Sequence, residues 1–336
     1  MKTGTKIGIL IGILLLAFGL TTMQIARHRG DGFGASIAWP GTAGGQSYDQ
    51  NGYTVCTDGE ERFSAAELEA LAIDWLSGSV SVERYDGRDV VVREKASGEL
   101  KEDECLRFRL SGGTLSILPC ANKVRSLPVK ELTVLIPESV TLKSVQADAT
   151  SASVTLRGLD VKETAALESL SGSLRVEDCR SFALELDSSS GSQQILRCEV
   201  KNAVYAESTS GSFTAEELKC LLLETDSTSG SQKIKTLSCD SVSLSSVSGS
   251  QRVSALDCRD VASSSTSGSV HVSFAAAPAI VGVNTTSGSV ELSFPAGTGI
   301  DLDFDRTSGS LHGEIVRGPI PVNVETTSGS LTIRYD

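Results

Sequence analysis

The sequence predicts an all-β fold, a β-solenoid (β-helix-like) of about 20-residue rungs, preceded by one N-terminal transmembrane helix. Two observations predict the solenoid. Ser-Gly-Ser recurs nine times at a nearly fixed step, with its glycines at Gly172, Gly191, Gly211, Gly230, Gly249, Gly268, Gly288, Gly309 and Gly329. Between these copies apolar and polar residues alternate, as in Val270, Val272 and Phe274 against His271 and Ser273. A fixed period marks a stack of like supersecondary units, and strict alternation puts one strand face in a core and the other in solvent. The third observation concerns the first residues. Lys2 and Lys6 precede the apolar run Ile7–Leu20, which continues uncharged to Ala26 before Arg27. That is about the length a spanning helix needs.

Residues 1–26 therefore read as a membrane anchor or signal segment, with the membrane contact through residues 7–26. The sequence Thr21-Thr22-Met23-Gln24-Ile25-Ala26 lacks a good small-x-small cleavage site, which favours an uncleaved anchor. Positive charge is nearly tied across the span, and the short basic head places the C-terminal part outside the cytoplasm. The expected location is the cell membrane, single-pass, with the large domain extracytoplasmic. Residues 27–70 read as a tether, rich in glycine at Gly30–Gly34 and Gly41–Gly45. Within it Ser64 and Glu67 have capping-box spacing, predicting either one short helix or a lead-in to the first strand.

Residues 71–139 alternate with a period of two but turn irregularly, which predicts a β-rich cap or atypical first rungs. Residues 140–336 carry the regular solenoid repeats, opened by the degenerate copy Ser151-Ala152-Ser153. With rungs about 4.8 Å apart, nine rungs make a rod of roughly 40 Å, with two long faces or three shorter ones. A leucine-rich repeat is the architectural rival, since Ile234–Cys239 resembles its L-x-x-L-x-C stretch, but no asparagine column follows.

Reading down the stack gives side-chain columns. Two residues after each glycine, an inward column is interrupted by Gln193, Gln232 and Gln251, predicting either an amide ladder or wet, gaping rungs. The serines flanking each glycine read as ties for a tight corner, ahead of a glycan-binding hydroxyl comb. The glycine itself answers to positive φ or to crowded backbones. Cys179, Cys198, Cys220, Cys239 and Cys258 form a cysteine column near the mid-rung turn. It reads as buried free thiols first, disulfides second and a metal site last, because the spacings are not those of short Cys-x-x-Cys pairs. Cys56, Cys105 and Cys120 lie outside it and are the better disulfide candidates.

Lys233, Arg252, His271, Glu291 and His312 point outward on what read as five successive rungs. His271, Glu291 and His312 are of metal-ligating types, but an exposed flat surface without a supporting shell favours a solvated polar column. Acidic residues show no repeated column on this reading. With no phosphate loop, nucleophile elbow or calcium repeat, the chain reads as non-catalytic, with no catalytic, cofactor-binding or metal residues and no cofactor. A polysaccharide-active β-helix enzyme is the weaker alternative. The net charge of −12 excludes a nucleic-acid partner, which needs clustered Lys and Arg, and leaves an unknown protein or glycan ligand.

Four features together resemble a known group: Ile73–Val80, the proline-ended Leu132–Pro137, the rung from Val145 to Val154, and the Thr-Ser-Gly-Ser repeats. The chain resembles the bacterial putative-adhesin family, a β-strand-repeat domain of unknown function, over roughly residues 70–336. The resemblance implies a repeat protein with an adhesin-like or cell-envelope binding role, in a family whose members often carry a membrane segment. It implies, as an alternative, an envelope-stress sensing or regulatory protein. It supplies no catalytic residues, and the cysteine column departs from it.

Overall fold

The computed structural model describes Tyr48, residues 50–121 and residues 127–336. Residues 1–26, read as a membrane anchor or signal segment, and residues 27–47 of the segment read as tether lie outside the described residues. Among the described residues no helix is long and apolar enough to cross a membrane. From Thr54 to Tyr335 the described chain is almost all strand, and one 3₁₀ turn, Ala65–Glu67, stands where the capping box falls. Ser64 makes no side-chain cap there, and Ala70 already begins the next strand, so no α-helix propagates.

The solenoid is built from parallel, in-register rungs. Each rung has two long sides. One follows the repeat glycine, as Leu174–Glu177 pairing with Gln193 to Leu196, then with Phe213 to Glu216. The other precedes it, as residues 184–188 pairing with residues 204–208 and these with residues 223–227. A short third side joins them at the mid-rung turn, as Leu218 opposite Leu237 and Leu237 opposite Leu256. Alternation along each side buries a continuous aliphatic core: Leu174, Val176, Leu184 and Leu186 are within 2% of full burial, and so are Val253, Val270, Val272 and Val290. A leucine-rich repeat is excluded, since strand flanks every corner and no helix or 3₁₀ segment occupies the repeat.

The glycine column is set by crowding. A Cβ built on Gly230 would lie 1.7 Å from the carbonyl oxygen of Gly211, and one on Gly191 would lie 1.8 Å from that of Gly172. The same approach recurs from Gly172 to Gly329, each corner lying directly on the one below. Of the nine repeat glycines only Gly309 has positive φ. At the six corners from Gly172 to Gly268 the tie is the serine hydroxyl three residues before the glycine, not the flanking serines as expected. Ser169, Ser208, Ser227 and Ser265 accept from the glycine N–H at 2.7–2.8 Å, while Ser188 and Ser246 donate to the glycine carbonyl at 2.9 and 2.8 Å. The serines adjoining the glycine face outward, because alternation through the corner turns them away from the core.

The first rung, Ala70–Tyr85, stacks in register on Ser144–Arg157. Its other edge is covered in two halves. Thr114–Leu118 pairs with its first half and continues antiparallel to Arg107–Ser111 and Thr54–Val55. Lys130–Pro137 pairs with its second half and continues antiparallel to Asp89–Ala96 and Glu60–Ser64. The last part of the segment read as tether thus carries paired strands of the cap. Lys130 and Glu94, neighbours within the second half, form an ion pair 2.5 Å long with both side chains 2% exposed, and its remaining bonds reach the segments that flank the strands of the first half. Glu94 accepts from Leu106 N–H at 2.9 Å, and Lys130 donates to the Glu104 carbonyl at 2.8 Å and to the Pro119 carbonyl. Its ammonium also lies 5.1 Å from the Trp75 ring centroid.

At the C-terminal end, order in space departs from order in sequence. Ile320–Ser328 pairs with Ile280–Thr285 on one side and with Ile300–Ser308 on the other, and Leu331–Tyr335 likewise lies between Val290–Phe294 and Leu311–His312. The last rung of the chain is therefore inserted beneath the rung that precedes it. Side-chain chemistry accounts for the exchange. The inserted rung buries Val322, Val324, Leu331 and Ile333, all at or below 2% exposure. The terminal rung carries Asp301, Asp303, Asp305 and Arg306, and leaves Leu302 and Phe304 half-buried with the Arg306 guanidinium 4.8 Å from the Phe304 ring. Charge on a final edge discourages further strand addition.

Two outcomes follow from this packing. Gly230→Ala forces backbone against backbone and should lose at least the roughly 3 kcal/mol upper end of ordinary overpacking in a denaturant titration. The matched Gly98→Ala change, at an exposed site with nothing within 4 Å, should leave the midpoint in place. Lys130→Met strands a buried carboxylate and should cost about 3–5 kcal/mol, whereas the double change with Glu94→Leu should recover most of it.

Candidate functional site

The outward columns and the thiols inside the short third side are the chemistry this fold displays. On the side preceding the glycine, one outward position lies four residues before each glycine. Asp74 stands opposite Asp148, Asp148 opposite Glu168, Glu168 opposite Asp187, Asp187 opposite Glu207 and Glu207 opposite Asp226. Ser245, Ser264 and Asn284 continue the column, and Glu325 and Asp305 end it. The sequence reading found no acidic column; the structure shows this one. The signal was present as a fixed offset from the glycine, but Asp and Glu are mixed in it and it is lost in the middle rungs.

Like charges on rungs about 4.8 Å apart repel one another along the column. Glu224 sits beside it, with Oε2 buried and without a hydrogen-bond partner. Burial, then the carboxylates of Glu207 and Asp226, push its pKa above the ordinary glutamate value. The opposite long side is mixed in sign. There Glu177 is held by Arg197, by Arg175 at 3.1 Å and by Arg157 at 3.2 Å, and Asp178 by Arg197 at 2.7 Å. Hydrogen bonding from Arg197 comes first among the causes that lower the pKa of both acids.

The column of Lys233, Arg252 and His271 continues to Glu291, but Thr332, not His312, stacks next. His312 pairs with Thr332 on the far side, because the final two rungs exchange places. Glu291 is already engaged, with His271 Nδ1 at 3.1 Å and Arg334 Nη1 at 2.9 Å. Among the described residues, no cluster of three metal-ligating side chains with metal-site geometry is present.

The glutamines form neither an amide ladder nor wet gaps. Gln232 and Gln251 are in register and at most 1% exposed. Each sends its Nε2 across the core, to the carbonyls of Ser245 at 2.6 Å and Ser264 at 2.9 Å. Gln193 reaches the carbonyl of Glu207 in the same direction at 2.5 Å. The amides therefore fasten the two long sides of the rung to one another.

The five cysteines separate into two columns. Cys198 stands opposite Leu218, and Leu218 opposite Leu237, so Cys220 and Cys239 lie two residues further along their rungs. The longer step from Cys198 to Cys220 is the sequence trace of this offset. Cys179 and Cys198 belong to the first column and donate to carbonyls of their own corners, Glu177 and Leu196, both at 3.2 Å. Burial pushes the Cys179 thiol up to about 12 and raises that of Cys198. Cys220, Cys239 and Cys258 make the second column, with Cys239 and Cys258 in register and their sulfurs 2.9 Å apart. In the cap, Cys56 and Cys105 line one cleft of about 290 Å³ that also borders Glu94, Cys120 is buried, and none of the three is in a disulfide.

Residues 198–334 match the family model described as Toastrack DUF4097. No match was found among curated proteins. Three solved structures are similar over most of their length. One from Parabacteroides distasonis, named "putative lipid binding protein", has 16% identity and a TM-score of 0.39, covering 84% of this chain and 96% of the other. A second from Bacteroides fragilis, named "putative adhesin", has 13% identity and a TM-score of 0.33, covering 82% and 96%. A third from Clostridium sporogenes, named "putative cell adhesion protein", has 10% identity and a TM-score of 0.21, covering 82% and 98%.

Glu224→Gln tests the electrostatics of the acidic side. Folded Glu224 holds its proton more tightly than the unfolded chain does, so its contribution to stability improves as pH falls through that raised range. The variant should have the higher thermal midpoint at neutral pH, and the gap to wild type should close below the ordinary glutamate value of about 4.3.

Proposed function

From the Toastrack DUF4097 domain over residues 198–334, we propose that this chain is a membrane-anchored, extracytoplasmic repeat scaffold with an adhesin-like or cell-envelope binding role, without catalysis. The observation that carries the reading is the in-register stack itself. Each outward position repeats once per rung, so the long sides present straight columns suited to an extended partner. The exposed serines on both sides of the glycine column line one corner with hydroxyls. The column from Asp74 to Asp226 gives the adjoining long side a negative field, which favours cationic groups on a bound protein or glycan and repels nucleic acid. Anchoring rests on the apolar run Ile7–Leu20 with its uncharged extension to Ala26.

Protease treatment of intact cells producing the full chain tests the placement. Residues 70–336 should be digested while a short N-terminal fragment stays with the membrane fraction. Complete protection of the repeat domain, with digestion only after lysis, would refute an outside location.

A further inference from the structure

The second cysteine column has no part in the scaffold role, yet it holds three neighbouring thiols on consecutive rungs. Its members differ in a way the core does not require. Cys258 and Cys239 are buried, at 4% and 9% exposure, while Cys220 at the start of the column is half-buried. Cys179 and Cys198 spend their thiol hydrogens on backbone carbonyls, but Cys239 points its own at the sulfur of Cys258, 2.9 Å away. Hydrogen bonding to the Cys220 and Cys258 sulfurs, then burial, push the Cys239 thiol well above its ordinary range. In-register parallel strands hold Cα atoms about 4.8 Å apart, inside the span that a disulfide bridges.

We propose that Cys220, Cys239 and Cys258 form a thiol–disulfide relay, in which Cys220 takes up oxidising equivalents from a low-molecular-weight disulfide and the crosslink comes to rest between Cys239 and Cys258. The steps balance. The Cys220 thiolate attacks one sulfur of the external disulfide, forms a mixed disulfide and releases one thiolate. Cys239 attacks Cys220 Sγ as its proton passes to the external sulfur, which departs as the second thiol and leaves a Cys220–Cys239 bond. Cys258 then attacks Cys239 Sγ, and Cys220 returns as a thiol. One external disulfide is reduced to two thiols, and two protein thiols are oxidised. The product staples neighbouring rungs through the short third side, and reductant reverses it. The relay is independent of the location proposed above.

Trypsin separates the three cysteines, because cleavage after Lys219, Lys233, Lys235, Arg252 and Arg259 puts Cys220, Cys239 and Cys258 on different peptides. The full chain is incubated with oxidised glutathione, alkylated, digested without reduction and mapped by mass spectrometry. The expected result is a crosslinked pair joining residues 236–252 to residues 253–259, absent after treatment with reductant. In Cys258→Ser the crosslink should move to Cys220 with Cys239, and in Cys220→Ser formation of the Cys239–Cys258 link should slow at least tenfold. Recovery of Cys239 and Cys258 as separately alkylated peptides would overturn the proposal, as would crosslinks confined to Cys56, Cys105 and Cys120. An unchanged rate in Cys220→Ser would remove Cys220 from the relay.

Discussion

The close approach of successive corners is the constraint on which this structure depends. With the carbonyl of the corner below 1.7–2.2 Å from where a Cβ would be at each repeat glycine from Gly172 to Gly288, a larger residue at any of these positions has to move backbone. That contact sets how each rung sits on the next, and register follows from it. Once the corners stack, aliphatic side chains stand over one another, and from Gly172 to Gly268 the serine three residues before each glycine meets that glycine's own N–H or carbonyl. A solenoid of this kind is stable through nearest-neighbour terms, so a repeated small contact counts many times. The glutamines show how the same regularity absorbs exceptions. A buried amide that crosses the rung to a backbone carbonyl replaces an aliphatic pair with a hydrogen bond and leaves the stack undisturbed.

The two ends solve the problem of an open sheet edge differently. At the N-terminal end, Thr114–Leu118 and Lys130–Pro137 each cover one half of the first rung, and the buried Lys130–Glu94 pair of the second half hydrogen-bonds to Leu106, Glu104 and Pro119 beside the first. Such a pair is weak support for stability by itself, but it fixes which groups meet, since either charge alone would be costly to bury. At the C-terminal end, the chain places the more apolar of its last two rungs inside and leaves the one bearing Asp301, Asp303 and Asp305 outermost. Burial explains the exchange: an inner rung is covered on both sides, and the terminal one only on one.

Column chemistry follows from stacking and not from the chain order alone. The acidic column exists because residues four before each glycine coincide in space. The supposed metal-ligating set of His271, Glu291 and His312 is broken by the exchanged final rungs. The cysteines, evenly spaced to the eye, occupy two positions of the rung. Only one of those brings sulfur against sulfur.

The sequence by itself determined the fold class, the repeat length, the corner glycines and the inward faces. Each of these is a local consequence of alternation and of a period near twenty, so it is written along the chain. The mixed acidic column was also present as an offset, but the Ser and Asn of the middle rungs concealed it. Only the tertiary structure decided the order of the last two rungs, the partners of Gln232 and Gln251, the split of the cysteines and the pairing of Glu94 with Lys130. These depend on which backbones lie side by side and on how much of each rung is covered. That is a competition in burial and charge among distant segments, and no local pattern records its outcome.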